Sequence, residues 1–328
     1  MYSNPEKFHI ETPPSPYCDE YFENLNGRIA YIESSRGCPF RCSYCLSGRV
    51  SPLRYFDIND TLNNIIRLSH SGTKTVKFID RTFNADAEKA DMIFSFIKDN
   101  YGKAISDKVC FHFEISADIL KENTLMILKD MPKGACQLEI GIQSFNEATL
   151  KGINRNINMQ KLIANIKRLI SFGNIHIHTD LIAGLPYENL ESFAAGFNQA
   201  FNLRTHMLQL GFLKVLSGTQ MEQDADTFGC AYPSVPPYEF SYTDWLSIND
   251  KIILKNCEEA LDKLYNSGRF HFTIDYLLDK LNYTPFELFV AAGSFVIKKN
   301  ISLSELTAIL YEKFSDKCDK TILREKLC

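Results

Sequence analysis

The feature that most constrains this chain is a rhythm of six β-type segments separated by helical text. The segments are IAYIESS (Ile29 to Ser35), TVKFID (Thr75 to Asp80), VCFHFEIS (Val109 to Ser116), CQLEIGIQS (Cys136 to Ser144), IHIHTDLIAG (Ile175 to Gly184) and MLQLGFLKVL (Met207 to Leu216). Between them, helices are expected from an N-cap at Asp57 to a stop at Gly72, over Ala85 to Asp99, over Glu122 to Asp130, through to Ile170, and over Leu190 to Asn202. Strands spaced in this way pair in parallel through right-handed crossovers, which makes the chain an α/β protein. Past Gly218 the composition changes. Pro233, Pro236 and Pro237 mark a linker, and from about Thr243 the text is helical. The expected division is an N-terminal extension (1–28), the strand–helix body (29–222), a Pro-rich linker (223–242) and a helical accessory domain (243–328).

Composition removes several classes of function. An apolar fraction of 45% with 23% charged residues excludes wholesale disorder. Lys plus Arg number 36 against 40 for Asp plus Glu, a net charge of −4 that argues against a polyanion binder. No apolar run approaches the ~20 residues of a membrane span, and MYSNPEKFHIETPPSPY lacks a signal-peptide core. Ten cysteines remain to be explained. Seven are single: Cys18, Cys110, Cys136, Cys230, Cys257, Cys318 and Cys328. They lack the dense, regular spacing of a secreted disulfide scaffold, so a reducing cytoplasm is the expected setting. Cys110, Cys136 and Cys257 read as small buried hydrophobes.

The other three fall in RGCPFRCSYCLSGR, where Cys38, Cys42 and Cys45 form C-x3-C-x2-C. Gly37 and Pro39 impose a turn, so the loop can wrap a compact soft-metal centre. Three sulfurs are one short of the four protein ligands usual for structural zinc, and His9 and His70 lie too far along the chain to complete them. An iron–sulfur cluster with one open iron fits the count; zinc remains the alternative on spacing alone.

Parallel strands are usually apolar on both faces, yet several of these carry polar groups toward their C-terminal ends. They are Asp80, Glu114, Glu139 with Gln143, and Asp180. Singly each reads as a solvated strand end. Together, with the cysteine loop after the first strand, they converge where parallel α/β folds place their ligands.

The sequence resembles the radical S-adenosylmethionine (SAM) superfamily. CPFRCSYC matches its C-x3-C-x-aromatic-C pattern, with Tyr44 as the aromatic. EIGIQSFNEATLKGINR, DLIAGLPYE and LKVLSGTQM are similar to phrases of its oxygen-independent coproporphyrinogen oxidase and elongator-type branch. ESSRGCPFRCSYCLS, FIDRTFN, PPYEFSYTDWLS and LYNSGRF resemble cobalamin-associated members that carry a C-terminal helical domain of unknown function. The resemblance implies a partial (β/α)6 TIM-like barrel followed by a small α-helical domain. Such relatives usually carry a cobalamin-binding domain before the barrel. Only ~28 residues precede the first strand, too few for one, so the expectation is a fragment or a shortened relative, and the implication for cobalamin weakens.

The resemblance further implies that Cys38, Cys42 and Cys45 bind three irons of a [4Fe–4S] cluster and that SAM chelates the fourth. Reductive cleavage of SAM would then yield a 5′-deoxyadenosyl radical, for hydrogen abstraction or methyl transfer on an unidentified substrate. For SAM, Tyr44 would lie over the adenine, and Glu114 with Ser116 would hold the ribose. Gln143 and Arg155 match a SAM-binding pair, with Arg155 on the methionine carboxylate, and Asp180 matches a further SAM-contacting acid. Glu139 would reach SAM or substrate. The usual Gly-Gly-Glu motif of the second strand is absent; Asp80, Arg81 and Thr82 occupy its place. His176 and His178, alternating on one strand, carry no assignment; Arg49 and Arg54 read as solvated loop residues.

The expected partners are a small-molecule or peptide substrate, an electron donor such as flavodoxin or ferredoxin, and, as an alternative, a separate cobalamin-binding chain that makes this the catalytic half of a methyltransferase or rearrangement system. A membrane partner is not expected, and the acidic balance weighs against nucleic acid. The competing class is a non-catalytic metal-binding protein whose thiols only brace a loop.

Overall fold

The computed structural model describes residues 15–47, 52–296 and 301–327. His9, Arg49 and Cys328 lie outside them. The chain opens with α1 (Asp19–Glu23) and β1 (Ile29–Ile32), then β2 (Ser35–Arg36) and β3 (Arg54–Tyr55), an antiparallel pair that brackets the cysteine loop. There follow α2 (Ile58–Ser69), β4 (Thr75–Phe78), α3 (Ala87–Asn100), β5 (Cys110–Ile115), α4 (Glu122–Lys129) and β6 (Cys136–Gln143). Next come α5 (Glu147–Gly152), α6 (Met159–Phe172), β7 (His176–Ala183), α7 (Leu190–Asn202), β8 (Met207–Phe212) and the short α8 (Gln220–Gln223). The remainder is helical: α9 (Ile248–Ala260), α10 (His271–Leu281), α11 (Pro285–Val296), α12 (Leu303–Phe314) and α13 (Lys320–Leu327).

Strands β1, β4, β5, β6, β7 and β8 form one sheet in that order, with every pair parallel. This is the parallel α/β architecture expected from the alternation and the partial barrel that the resemblance implies, followed by a helical region. The caps explain the boundaries. Asp57 accepts from the Asn59 and Asp60 amides at the start of α2. Asp86 does the same for α3, so that helix starts two residues later than the composition suggests, after a 3₁₀ turn at Phe83–Ala85. After the linker, α9 begins at Ile248 under a Ser247–Asp250 capping box. Thr243, the expected start, instead closes a turn in which its hydroxyl accepts from the Trp245 and Leu246 amides.

The two faces of the sheet differ. Ile32, Phe78, Phe111, Phe113, Leu138, Ile140, Ile177 and Leu208 are buried on the outer face, beneath the helices. Phe113 stacks on Phe78 at 4.6 Å and meets Phe83 and Phe94 at 4.5 and 4.9 Å. The alternate residues, among them Lys77, His112, Glu114, Glu139 and Asp180, point to the inner, concave face and are only partly covered.

An open barrel has two edge strands, and side chains cover backbone groups on both. On β1 the Tyr17 hydroxyl donates to the Tyr31 carbonyl (2.8 Å) and the Tyr21 hydroxyl accepts from its amide (3.3 Å). On β8 the Asn266 side-chain amide accepts from Leu208 N–H (3.0 Å) and donates to Leu208 C=O (2.8 Å). The helical region packs against α7 through aromatic contacts. Phe286 meets Phe193 and Phe197, Phe289 meets Phe197 and Phe201, and the Tyr265 hydroxyl donates to Thr205 C=O.

Candidate functional site

The cysteine loop leaves the C-terminal end of β1 and turns at Gly37, whose φ of +106° only glycine adopts readily. Asp80, just past the end of β4, fixes the loop's root. Its carboxylate, 1% exposed, accepts from both serine hydroxyls of Ser34 and Ser35 (2.6 Å each) and from the Ser34 amide (2.9 Å). Burial raises the Asp80 pKa, against the lowering effect of these bonds. Thr82 sits 3.4 Å, oxygen to sulfur, from Cys38. Ser43, inside the cluster, is tied on both sides: its amide donates to Ile153 C=O (2.9 Å) and its carbonyl accepts from Met221 N–H (2.9 Å). The segments around Ile153 and Met221, well down the chain from the thiols, thus hold the middle of their loop. All three thiols are free and partly accessible.

Facing that loop is the irregular end of β6. The register with β7 shifts between Gly141 and Gln143, and Gln143 takes a φ of +74°, uncommon for a residue with a side chain. The Gln143 side chain folds back over Gly141, where a Cβ would fall on its amide nitrogen. Arg155, after the positive-φ Asn154, donates to Gly141 C=O and reaches Cys42 Sγ at 3.7 Å. Tyr44 lies beside Cys42, Cys45 and Arg155, and burial raises its phenol. Arg155 Nε and Gln143 Oε1 are buried without a partner. A strained backbone, a glycine cradle and two orphaned polar atoms at one strand end are marks of a ligand site.

The inner face continues this site into the sheet. Lys77 Nζ lies 3.4 Å from Glu114 and 3.2 Å from Glu139, and Arg81 lies 3.9 Å from Glu114. His112 Nε2 is 2.8 Å from Glu139. Burial alone would raise Glu139, but the His112 hydrogen bond and the Lys77 charge bring it down to about 2. Glu114 moves the other way, raised by burial and by Glu139. Asp180 is pushed up to about 8 by burial and by the Glu139 and Glu114 charges. Ser116, by contrast, is committed within the protein: its hydroxyl donates to Asp118 (2.6 Å) and its backbone pairs with the Asn84 side chain.

The structure therefore gathers Cys38 with Thr82, Cys42 with Tyr44, Gln143 and Arg155, and Glu114 with Arg81 and Glu139. Glu139 falls in the middle of β6, level with Glu114 and His178, rather than at its end. Asp80 and Ser116 have their polar atoms engaged by neighbours. Arg54 is exposed in β3. A cavity of about 1060 Å³ lies elsewhere, along the β1 edge between Tyr17, Glu33, Arg36 and Arg67. Glu114, Glu139 and Asp180 with their shifted pKa values, the orphaned atoms of Gln143 and Arg155, and the thiols lie together at the sheet's concave side, so chemistry is placed there. Sequence reasoning missed Lys77, His112 and Asn84. Polar residues at alternating positions, Lys77 in TVKFID and His112 with Glu114 in CFHFEI, carried the signal for the first two; nothing local marked Asn84.

Among the described residues no three His, Cys, Asp or Glu side chains meet where one ion could bind. A cuboidal iron–sulfur cluster does not require this, since each thiolate takes a different iron. The donor set fits that group: three free thiols in a turn, backed by a buried guanidinium.

Comparison with known proteins agrees. Residues 32–198, just over half of the chain, match the Radical SAM superfamily model, and residues 226–326 match a family of unknown function, DUF4080. The chain is 28% identical over 228 residues to the 2-(S-pantetheinyl)-carbapenam-3-carboxylate methyltransferase of Streptantibioticus cattleyicolor, covering 60% of this chain and 30% of that protein. Among solved structures, the radical SAM methyltransferase TsrM of Kitasatospora setae, with cobalamin and a [4Fe–4S] cluster bound, aligns at TM-score 0.54 and 16% identity over 66% of this chain and 41% of that one. The cobalamin-dependent enzyme OxsB aligns at TM-score 0.52 and 13% identity over 90% and 49%. The chain spans less than half the length of these relatives: 30% of the curated methyltransferase, and 41% and 49% of the two solved structures. From the thiol loop, the parallel sheet and the match over most of that sheet it follows that this chain belongs to the radical SAM superfamily, enzymes whose cofactors are a [4Fe–4S] cluster and S-adenosylmethionine.

Proposed function

We propose that the chain forms the catalytic barrel of a radical SAM enzyme in which Cys38, Cys42 and Cys45 each hold one iron of the [4Fe–4S] cluster. The observation that carries this is the doubly tied Ser43, which fixes a turn of three free thiols against Arg155. When bound, the cluster and SAM would supply one-electron cleavage of the sulfonium, for hydrogen abstraction or methyl transfer. The residues' part is to bind and orient. Arg155 and Gln143, each with an unpartnered buried atom, suit a carboxylate and its neighbours. Tyr44 offers a ring for the adenine. Glu114 suits a ribose diol, with Ser116 positioned behind it. Asp180 accepts a further donor at the SAM site. Arg81 and Thr82 stand where the family's second-strand motif would be; Asp80 acts by holding Ser34 and Ser35. Lys77 and His112 keep Glu139 ionised and oriented toward SAM or substrate.

The substrate is a small molecule or peptide, and the electron arrives from a flavodoxin or ferredoxin in the cytoplasm; among the described residues no helix is long and apolar enough to cross a membrane. Methyl transfer with a separate cobalamin-binding chain is the second reading, favoured by the methyltransferase names of the relatives.

The test is anaerobic reconstitution with iron and sulfide, followed by SAM and dithionite and measurement of 5′-deoxyadenosine. The expected result is full cluster loading and SAM cleavage, both lost in the C38A, C42A and C45A variants. Tight zinc with no cleavage would overturn the proposal in favour of a bracing metal. Cobalamin retained only when a cobalamin-binding chain is present would favour the second reading.

A further inference from the structure

On β7, His178 has no part in the cofactor site proposed above, and Asp180, placed there as a SAM-contacting acid, turns one of its two carboxylate oxygens toward His178. His178 is 6% exposed, and neither ring nitrogen makes a hydrogen bond of good geometry, although the Gln209 side chain of β8 stands close enough to act on the ring. Asp180, two residues on and therefore on the same face, has its Oδ1 buried and unpartnered. The two side chains approach to 3.4 Å, His178 Nε2 to Asp180 Oδ1, yet the geometry does not make a hydrogen bond between them. Two buried polar groups that stand side by side without bonding each other are both open to a third party.

The surroundings decide what that third party is. Around the pair, Glu139 is met by Lys77 and His112, and Glu114 by Lys77 and Arg81, so these charges offset one another. Asp180 has no Lys or Arg paired with it, Lys77 and Arg155 acting on it only from a distance, and burial lowers the His178 pKa and keeps its ring neutral. A carboxylate oxygen and an imidazole lone pair this close are complementary to one nitrogen that carries several hydrogens. They do not suit an anion, and a lone hydroxyl could satisfy only one of them as a donor. In register, His178 pairs with Glu139 and Met207, one level deeper in the barrel than the Gly141–Asp180 pair at the SAM end. The pair therefore starts at the SAM end, at Asp180, and runs one same-face level deeper, at His178, so a group held by both lies against the inner side of the cofactor groups.

We propose that His178 and Asp180 Oδ1 form the substrate-binding pair of this enzyme and that they take a protonated primary amine of the substrate. The inference rests on the radical SAM reading given above and adds a substrate class to it. Below about pH 8 the unliganded Asp180 carries a proton, so the ammonium binds with release of that proton; it then donates one hydrogen to the Asp180 carboxylate and one to His178, and its positive charge replaces the missing cation.

The experiment uses the full chain reconstituted with its cluster, 15N-labelled at histidine, and follows the His178 ring resonances while n-butylammonium, n-butyrate or n-butanol is added with SAM present. The expected result is a saturable shift with n-butylammonium alone. Its apparent affinity should fall at least tenfold in His178→Phe and in Asp180→Asn, while His178→Gln, which retains an acceptor, recovers part of it. SAM binding is measured on the same samples by equilibrium dialysis. A stronger response to butyrate or butanol, or no response while SAM binds normally, overturns the amine site and leaves the cofactor reading standing. Movement of the His178 rings by SAM alone, with no further amine effect, makes the pair part of the cofactor site and also overturns the inference. Failure of SAM to bind with the cluster loaded counts against the cofactor reading instead, and the amine titration without SAM still tests the pair.

Discussion

Phe113 and Glu114 are neighbours on β5 and face opposite surroundings. Phe113 is fully buried among Phe78, Phe83 and Phe94, whereas Glu114 keeps about a quarter of its side chain exposed and shares Lys77 with Glu139. The same alternation runs along β4, β6 and β7. The outer face makes the fold stable through dispersion and burial of apolar area. The inner face contributes little of that, and its charges stand where cofactors and substrate have to lie. The lesson is that one strand carries two separable properties, and substitutions on the two faces should fail in different assays.

The largest stability effect is expected outside. Phe113→Ala should lose ~3–5 kcal/mol of unfolding free energy in denaturant titration, since it removes a fully buried ring from an aromatic cluster. A loss below ~1 kcal/mol would break the distinction between the faces. The next effect is on pH dependence. Asp180 has a folded pKa of about 8 against 3.8 for the free side chain, so between these values the native state keeps a proton that the unfolded chain releases. Stability should therefore fall as pH rises from about 4 toward about 8. Asp180→Asn should flatten that slope, gaining ~1 kcal/mol or more relative to the natural chain at the upper end. Glu188, raised by burial to about 7, acts in the same direction and leaves a residual slope. A slope unchanged in the variant would remove Asp180 as its source.

Smaller effects sharpen the comparison. Asn266→Ala should cost ~1–2 kcal/mol, because it strips both partners from Leu208 on the β8 edge. The same variant should show concentration-dependent association by light scattering, the usual consequence of an uncovered edge. Lys77→Met should change stability by less than ~1 kcal/mol, the lysine being about a quarter exposed. Its signature is instead a rise of the Glu139 midpoint from about 2, read by 13C carboxyl NMR.

Much of the architecture was legible because it rests on local rules. The strand segments, the Asp57 cap, the helix over Leu190 to Asn202 and the cysteine spacing all follow from residue type and position. What was not legible depends on chain segments meeting from a distance. The bulge that turns Gln143 to a positive φ leaves no mark in CQLEIGIQS, because it arises from the register of β6 against β7. The commitment of Ser116 to Asp118 and of Asp80 to Ser34 and Ser35 is likewise invisible in sequence, where both read as free strand-end groups. β-type text has no internal marker of depth, so in sequence Glu139 reads as a group toward a strand end. The polar alternation at Lys77, His112 and Glu114 was on the page and is a cue for a wetted inner face.

The tie at Ser43 also bears on the order in which the protein is made. The thiol loop is translated early, but one of its two backbone anchors is the amide of Met221, beyond the last strand of the sheet. On the ribosome, the loop would reach its final shape only after the whole barrel has emerged. Iron and sulfide would then be delivered to a finished barrel, which places the maturation step after folding and spares the growing chain an oxygen-sensitive centre.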